Sequence, residues 1–259
     1  MAIPESFSVR SLGGPSALLD YGGVKILVDP TFDPPGDYPI GERVLTKTAG
    51  PALSADQVGA VDVVLLSHDQ HPDNLDRGGR EYLDTARLVL STRSAEERLG
   101  GAVLGLPNWV SQEFDRPEGG TALVTGVPAL HGPEGSEPVV GEVTGFMLTG
   151  TDLPTVYISG DNASLDRVRE IAERYAPVDV ALLFAGGART PLMGEAYLTL
   201  NSAGAAEAAA ILQAGAVVPL HFEQWAHFSE GAEPLAAAFA AAGLSDRLHL
   251  LKAGESATF

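Results

Sequence analysis

Cysteine is absent from the 259 residues, which removes disulfides, thiolate nucleophiles and thiolate metal ligands together. Basic side chains are scarce: 16 Lys and Arg face 34 Asp and Glu, a net charge of −18. A field of that sign repels phosphate backbones, and no Lys/Arg cluster interrupts it, so nucleic acid is not an expected partner. It also disfavours docking onto anionic lipid. No apolar run approaches the roughly 20 residues that span a bilayer. The longest candidate, 231–243, contains Glu233 and Pro234 and reads as an alanine-rich packed helix. Met1-Ala2-Ile3-Pro4-Glu5 shows neither a basic nor an apolar stretch, so no secretory signal is visible. Nor does any Pro/Ser linker, compositional break or fixed-period repeat divide the chain. The expectation is one cytoplasmic domain over 1–259, free or as a homo-oligomer.

What the chain does have is histidine in telling places. The apolar run Val63-Val64-Leu65-Leu66 reads as a buried strand. It ends in Ser67-His68-Asp69-Gln70-His71-Pro72-Asp73-Asn74-Leu75-Asp76. Three further strand-like runs end the same way: 124–130 leads into His131, 155–160 into Asp161, and 216–220 into His221. Polar groups just past the carboxyl ends of strands are where α/β sheets build their sites. Imidazole and carboxylate together suit a divalent metal such as zinc or manganese. A single His at a strand end is commonly structural; four ends in the order His cluster, His, Asp, His are not explained that way.

This order resembles the metallo-β-lactamase-fold superfamily, whose members gather a His-x-His-x-Asp-His loop, a lone His, a bridging Asp and a final His. The branch it is most similar to is that of predicted zinc-dependent hydrolases related to ascorbate-6-phosphate lactonase and to the phospholipase D acting on N-acyl-phosphatidylethanolamine. Asp29-Pro30, Ser67-His68, Leu75-Asp76, Ser159-Gly160-Asp161 and Pro219-Leu220-His221-Phe222 carry that likeness, which runs from about residue 7 to 251. It implies an α/β (α+β) fold, a four-layer αββα sandwich of two mixed β-sheets. Its implied activity is a metal-dependent hydrolase of a small-molecule ester, lactone, amide or phosphodiester.

The departures from the pattern are specific. Counted forward from His68, the second His of the family motif falls on Gln70; counted backward, His-x-Asp-His becomes His71-Pro72-Asp73-Asn74. The loop reads as one residue longer, with His71 in the second-His role and Asn74 where the last His belongs. The resemblance then implies one metal position from His68, His71 and His131, and a second from Asp73, Asn74 and His221, with Asp161 bridging. Because a neutral amide is a poorer partner for zinc than imidazole, one or two zinc ions, or manganese, remain open. A non-hydrolytic metalloenzyme on the same scaffold and a metal-poor binding protein are the other readings.

Asp73 and Asp161 are the candidate catalytic carboxylates, able to orient a water and accept its proton. Asp29 reads either as a buttress for a ligating imidazole or as a turn-starting residue before Pro30, and Gln70 lies beside the ligands. His227, in Gln224-Trp225-Ala226-His227-Phe228, either faces substrate or packs with its aromatic neighbours. Arg189 follows Gly186-Gly187, which reads as a plain turn or an anion cradle. His249 reads as structural within a C-terminal strand. Neither Ser67 nor Ser159 stands in a nucleophile elbow, so a Ser/His/Asp hydrolase is not expected.

The coarse element reading places strands at 8–12, 17–21, 25–29, 61–66, 87–91, 122–129, 144–148, 156–159 and 178–184. Helices are placed at 75–84, 94–99 with a Ser94 cap and Glu97 at its capping-box position, 165–175, 201–213 and 235–242. Residues 30–51 hold five of the 18 prolines and read as a long irregular loop beside the site mouth.

Overall fold

The computed structural model describes residues 7–259; the stretch Met1 to Glu5, on which the expectation about a secretory signal rests, lies outside them. Two mixed sheets face each other. The first has seven strands in the order Ser256–Thr258, Phe7–Gly13, Ser16–Tyr21, Val24–Val28, Val63–Leu65, Val89–Ser91 and Val103–Gly105. Its first four are antiparallel and the remainder parallel. The second runs Ala216–Leu220, Val180–Phe184, Val156–Ile158, Thr144–Gly150, Thr121–Pro128 and Ser111–Asp115, parallel at its start and antiparallel at its end.

Alternation along the strands makes the four layers. In Val63–Leu65, Val63 and Leu65 point into the space between the sheets, where they meet Phe146, Ile158, Leu182 and Phe184. Val64 and Leu66 point outward, against Leu75 in the preceding loop and Tyr82, Leu83 and Ala95 on the helices Arg77–Leu83 and Arg93–Leu99. On the second sheet, Ala181 and Leu183 face Val168, Ile171, Ala205, Ala209 and Leu235 of the helices Leu165–Tyr175, Ser202–Ile211 and Ala232–Ala241. Central strands buried on both faces are why these runs are apolar without a period. Each large aliphatic or aromatic side chain buried in this way contributes about 1.5–3 kcal/mol.

Most expected elements are present, with shifted ends. The helix after Thr92 starts one residue early: Thr92 accepts from Ala95 N, so Thr92, not Ser94, is its cap. Among the described residues, and apart from the hairpin below, three strands escaped the sequence reading, Val103–Gly105, Ser111–Asp115 and Ser256–Thr258; all are short and carry little apolar pattern. His249 is not in a strand. Its N–H donates to Val217 O at 2.8 Å and its ring meets Phe259 edge-on.

The larger correction is at residues 30–51, where Gly36–Ile40 and Arg43–Lys47 form an antiparallel hairpin. Proline counts against a strand because it cannot donate to a ladder, but every strand of a two-stranded ribbon is an edge, where it is tolerated. Pro39 stands opposite Val44. Gly41 takes φ +58° at the first turn position, the conformation a tight hairpin asks of a glycine.

The hairpin is tied down by a buried ion pair. Lys47 Nζ lies 3.1 Å from Asp76 Oδ2, both side chains almost fully buried. Asp76 also accepts from Phe32 N, Asp33 N and Gly79 N, and so caps the helix Arg77–Leu83. Asp76→Ala leaves a buried ammonium without its carboxylate and three N–H groups unpaired, and is expected to cost about 3–5 kcal/mol. Urea unfolding checks this, with Asp166→Ala at the exposed Asp166–Arg169 pair expected to change little.

Candidate functional site

Five strands deliver the polar residues to one edge of the sandwich. The loop after Val63–Leu65 brings His68, His71, Asp73 and Asn74. Thr121–Pro128 leads to His131, Val156–Ile158 to Asp161, Ala216–Leu220 to His221, and Val24–Val28 to Asp29. Gly160, at φ +55°, makes the turn into Asp161, where a Cβ would run into Thr144 O and the Ser67 side chain. Asp29 at φ 36° and His221 at φ 55° are non-glycine residues in the left-handed region. Each such residue costs of order 1–3 kcal/mol and persists only where its surroundings impose it. For His221, a bond from its N–H to Gly14 O at 2.7 Å contributes to that constraint.

The side chains converge in two sets. In the first, His68 Nε2 is 2.9 Å from His71 Nδ1, which is 3.3 Å from His131 Nε2, which is 3.8 Å from Asp161 Oδ2. In the second, Asp161 Oδ1 is 3.5 Å from His221 Nε2, which is 3.3 Å from Asp73 Oδ2. The donor atoms of His68, His71, His131 and Asp161 lie within 4.8 Å of one another, as do those of Asp73, Asp161 and His221. Asp161 thus belongs to both sets through its two oxygens. His71 is the second histidine of the cluster; Gln70 turns away and packs against Gly141.

Protons are placed to leave the inward nitrogens bare. Ser67 Oγ donates to Asp29 Oδ2 at 2.6 Å, so the 3.0 Å contact between Ser67 Oγ and His68 Nδ1 has the imidazole as donor. His131 Nδ1 donates to Leu198 O at 2.8 Å. A donated N–H on one side fixes a lone pair on the other, the arrangement a ligating imidazole needs. Asp29 therefore acts on His68 through Ser67, and on Asp161 through Asn74, whose Nδ2 bonds Asp29 Oδ2 at 3.0 Å and Asp161 Oδ1 at 3.1 Å. Ser67 is 1% exposed, which disposes of it as a nucleophile.

Burial sets the charges. It pushes the His68 imidazole well below its ordinary range and His71 down to about 4, keeping both neutral. Burial works against the carboxylates of Asp73 and Asp161, but neighbouring imidazoles outweigh it and hold both below the usual range. Asp29, with burial dominant, is pushed up to about 7. His221 is raised, its two aspartates outweighing desolvation.

The residues fit a metal. Asp73 Oδ1, Asn74 Oδ1, both nitrogens of His221 and His227 Nδ1 are buried without a hydrogen-bond partner, which is costly unless something else satisfies them. Ligands about 2.0–2.2 Å from a tetrahedral zinc stand about 3.3–3.6 Å from one another, and the separations above scatter around that value.

Outside the cluster, a narrow cleft is lined by His71, Asp73, His131 and Asp161 together with Arg43, Arg189 and His227. Beside it, sharing Ile40, Arg43, His71 and Val140, lies a mouth of about 650 Å³ lined by the hairpin tip and residues 137–141. Arg189 pairs with Glu195 at 3.1 Å and lies over the Tyr197 ring. Arg43 bonds Thr190 Oγ1 at 2.6 Å; sequence reading missed it because it lies far along the chain from the motifs. Arg43 and Lys47 are the only basic residues between Pro30 and Pro51, which was the available signal.

Residues 24–222 match the family described as the beta-lactamase superfamily domain. The chain belongs to that family. A metal-dependent hydrolase of Pyrococcus furiosus is 28% identical over 250 residues, spanning 94% of this chain and 96% of that protein. Among solved structures, an isothiocyanate hydrolase from Delia radicum gut bacteria superposes with TM-score 0.82 at 18% identity, covering 97% of this chain and 99% of that one. A metallo-beta-lactamase fold protein from Bacillus subtilis gives 0.62 at 16% identity, covering 98% and 99%. The fold expected from the sequence is the fold observed. The family match stands at superfamily level and does not select the lactonase or phospholipase branch.

His71 offers a pH test on metal-free protein. Its folded value of about 4 lies below the ordinary 6.5, so the unfolded chain takes the proton first. Stability from neutral His71 is then full above pH 6.5 and lost as pH falls toward 4, by up to about 3 kcal/mol. Urea unfolding of wild type and His71→Asn should show their stability difference shrinking by that order between pH 7 and pH 4. A pH-independent difference would contradict the burial described.

Proposed function

We propose that this member of the metal-dependent hydrolase family uses one or two divalent ions, zinc first and manganese as the alternative, to hydrolyse a small-molecule ester, lactone, amide or phosphodiester. The single observation carrying the reading is the pair of donor sets joined through Asp161, with buried donor atoms otherwise left unsatisfied. The comparisons support it through the hydrolase name of a relative matching nearly end to end.

His68, His71, His131 and Asp161 would hold one ion; Asp73, Asp161 and His221 the other. A bound divalent cation supplies water activation, lowering its pKa to about 7, and polarisation of the substrate oxygen. The chain's own residues do the rest. Asp73, held in its ionised form by His227 and His221, would orient the attacking water and take its proton. Asp29 holds Ser67 and Asn74, and through them the orientation of His68 and Asp161. Arg43 and Arg189 line the cleft and would contact the substrate, while the hairpin narrows access for bulk water.

The reading is tested with chelator-stripped and zinc- or manganese-reloaded protein on a panel of aryl esters, lactones, anilides and bis(p-nitrophenyl) phosphate. Hydrolysis of at least one class should vanish with the metal and return on reloading. His71→Ala should lower kcat/KM by at least about 100-fold, since even partners one step removed from a metal matter by roughly 10–100-fold, whereas Gln70→Ala should stay close to wild type. Activity that survives chelation, or equal losses at both positions, would contradict it.

A further inference from the structure

Building on the two-metal reading above, we propose that His227 is the fourth donor of the second metal position, supplying the imidazole that Asn74 does not. Asp73 Oδ2 stands between two imidazoles: 3.3 Å from His221 Nε2 and 3.1 Å from His227 Nε2. Both separations are those of neighbouring ligands on a tetrahedral ion, and they match the spacing inside the His68, His71 and His131 set. The donors of Asp73, Asp161 and His221 lie within 4.8 Å of one another and His227 stands just outside that set, touching it at Asp73. Ligation therefore requires its ring to move inward on metal binding; the count then reaches four, with two nitrogens.

Asn74 occupies the family's histidine position but is committed elsewhere. Its amide NH₂ faces the acceptor oxygens of Asp29 and Asp161, and its remaining atom is a neutral carbonyl oxygen, a weak donor for zinc. His227, by contrast, already turns its Nε2 toward Asp73 Oδ2 at 3.1 Å. Its Nδ1 is buried and unpartnered, as is the second oxygen of Asp73. Among the described residues, its polar contact is Asp73.

The backbone holds His227 in place. Gln224, at φ 71°, accepts from Thr48 N at 2.7 Å, and Ala226 N donates to Thr46 O at 3.0 Å, which pins the segment to the hairpin. Trp225 is buried against Tyr38 and Lys47. The Phe228 ring packs on both His221 and His227, with centroids 4.6 and 4.5 Å away. At 17% side-chain exposure, against 5% or less for Asp73, Asp161 and His221, His227 is the outermost donor and the one nearest the substrate cleft. The same loop thus couples the second metal position to the hairpin over the mouth.

Titration calorimetry with zinc on chelator-stripped full-length protein tests this, using His227→Gln and Asn74→Ala. Glutamine can still donate N–H to Asp73 but has no nitrogen lone pair, so it separates ligation from mere orientation of Asp73. Wild type should bind two equivalents. His227→Gln should keep the first at wild-type affinity, which also shows that it is folded, and weaken the second by more than about 100-fold, beyond the roughly 10–100-fold expected of a supporting partner. Asn74→Ala should lose less than His227→Gln. A His227→Gln protein that binds both equivalents as tightly as wild type would overturn the assignment, as would a wild type holding only one, or Asn74→Ala alone abolishing the second. A wild type that binds no zinc would instead overturn the two-metal reading itself.

Discussion

Three carboxylates, Asp29, Asp73 and Asp161, are buried within one cluster at the edge of an apolar sandwich, each 4% exposed or less. That constraint governs the rest of the site. Buried like charges repel and are poorly solvated, so such a group survives only with compensating positive charge or a retained proton. The structure uses several devices at once. Asp29 is pushed toward its neutral form, Asp73 and Asp161 lean on imidazoles, and His68 and His71 stay uncharged with lone pairs inward. The neutral His68 and His71 cannot balance ionised carboxylates. Divalent cations can, and they would also satisfy the donor atoms left without partners.

Sheet topology is what lets the constraint be met. Parallel strands at the centre of each sheet end at the same edge, so the residue after each strand arrives beside those from its neighbours. The strained backbone at Asp29 and His221 is confined to these strand ends, next to rigid elements able to hold it. Ser67, Asn74 and Leu198 then fix the rotation of the rings and carboxylates that the strands have delivered. The hairpin of residues 36–47, pinned through Lys47 to Asp76 and through the Thr46 and Thr48 backbones to residues 224–226, sets the outer wall.

Much of this was legible in the chain. Continuous apolar runs marked the strands buried on both faces, and the polar residue after each run marked the site. Placing His71 in the cluster followed from reading the motif backward from Asp73, because the extra residue is taken up in the loop. Residues 36–47 were misjudged because proline density speaks against ladders in general, while a two-stranded ribbon has no central strand to disrupt. The contact between His227 and Asp73 could not be read at all. It depends on a loop held by long-range contacts with the hairpin, and nothing in the local pattern distinguishes a His packed among aromatics from one aimed at a carboxylate. Nor could the orientation of Asn74, which only the positions of Asp29 and Asp161 determine.

The most direct measurement of the central claim is anomalous diffraction from crystals of the zinc-loaded protein, recorded on both sides of the zinc edge. Two peaks are expected on either side of the Asp161 carboxylate. One should lie about 2.0–2.2 Å from His68 Nε2, His71 Nδ1 and His131 Nε2, and the other among Asp73, His221 and His227. No peak at the cluster, or zinc bound only at exposed carboxylates elsewhere, would contradict the account.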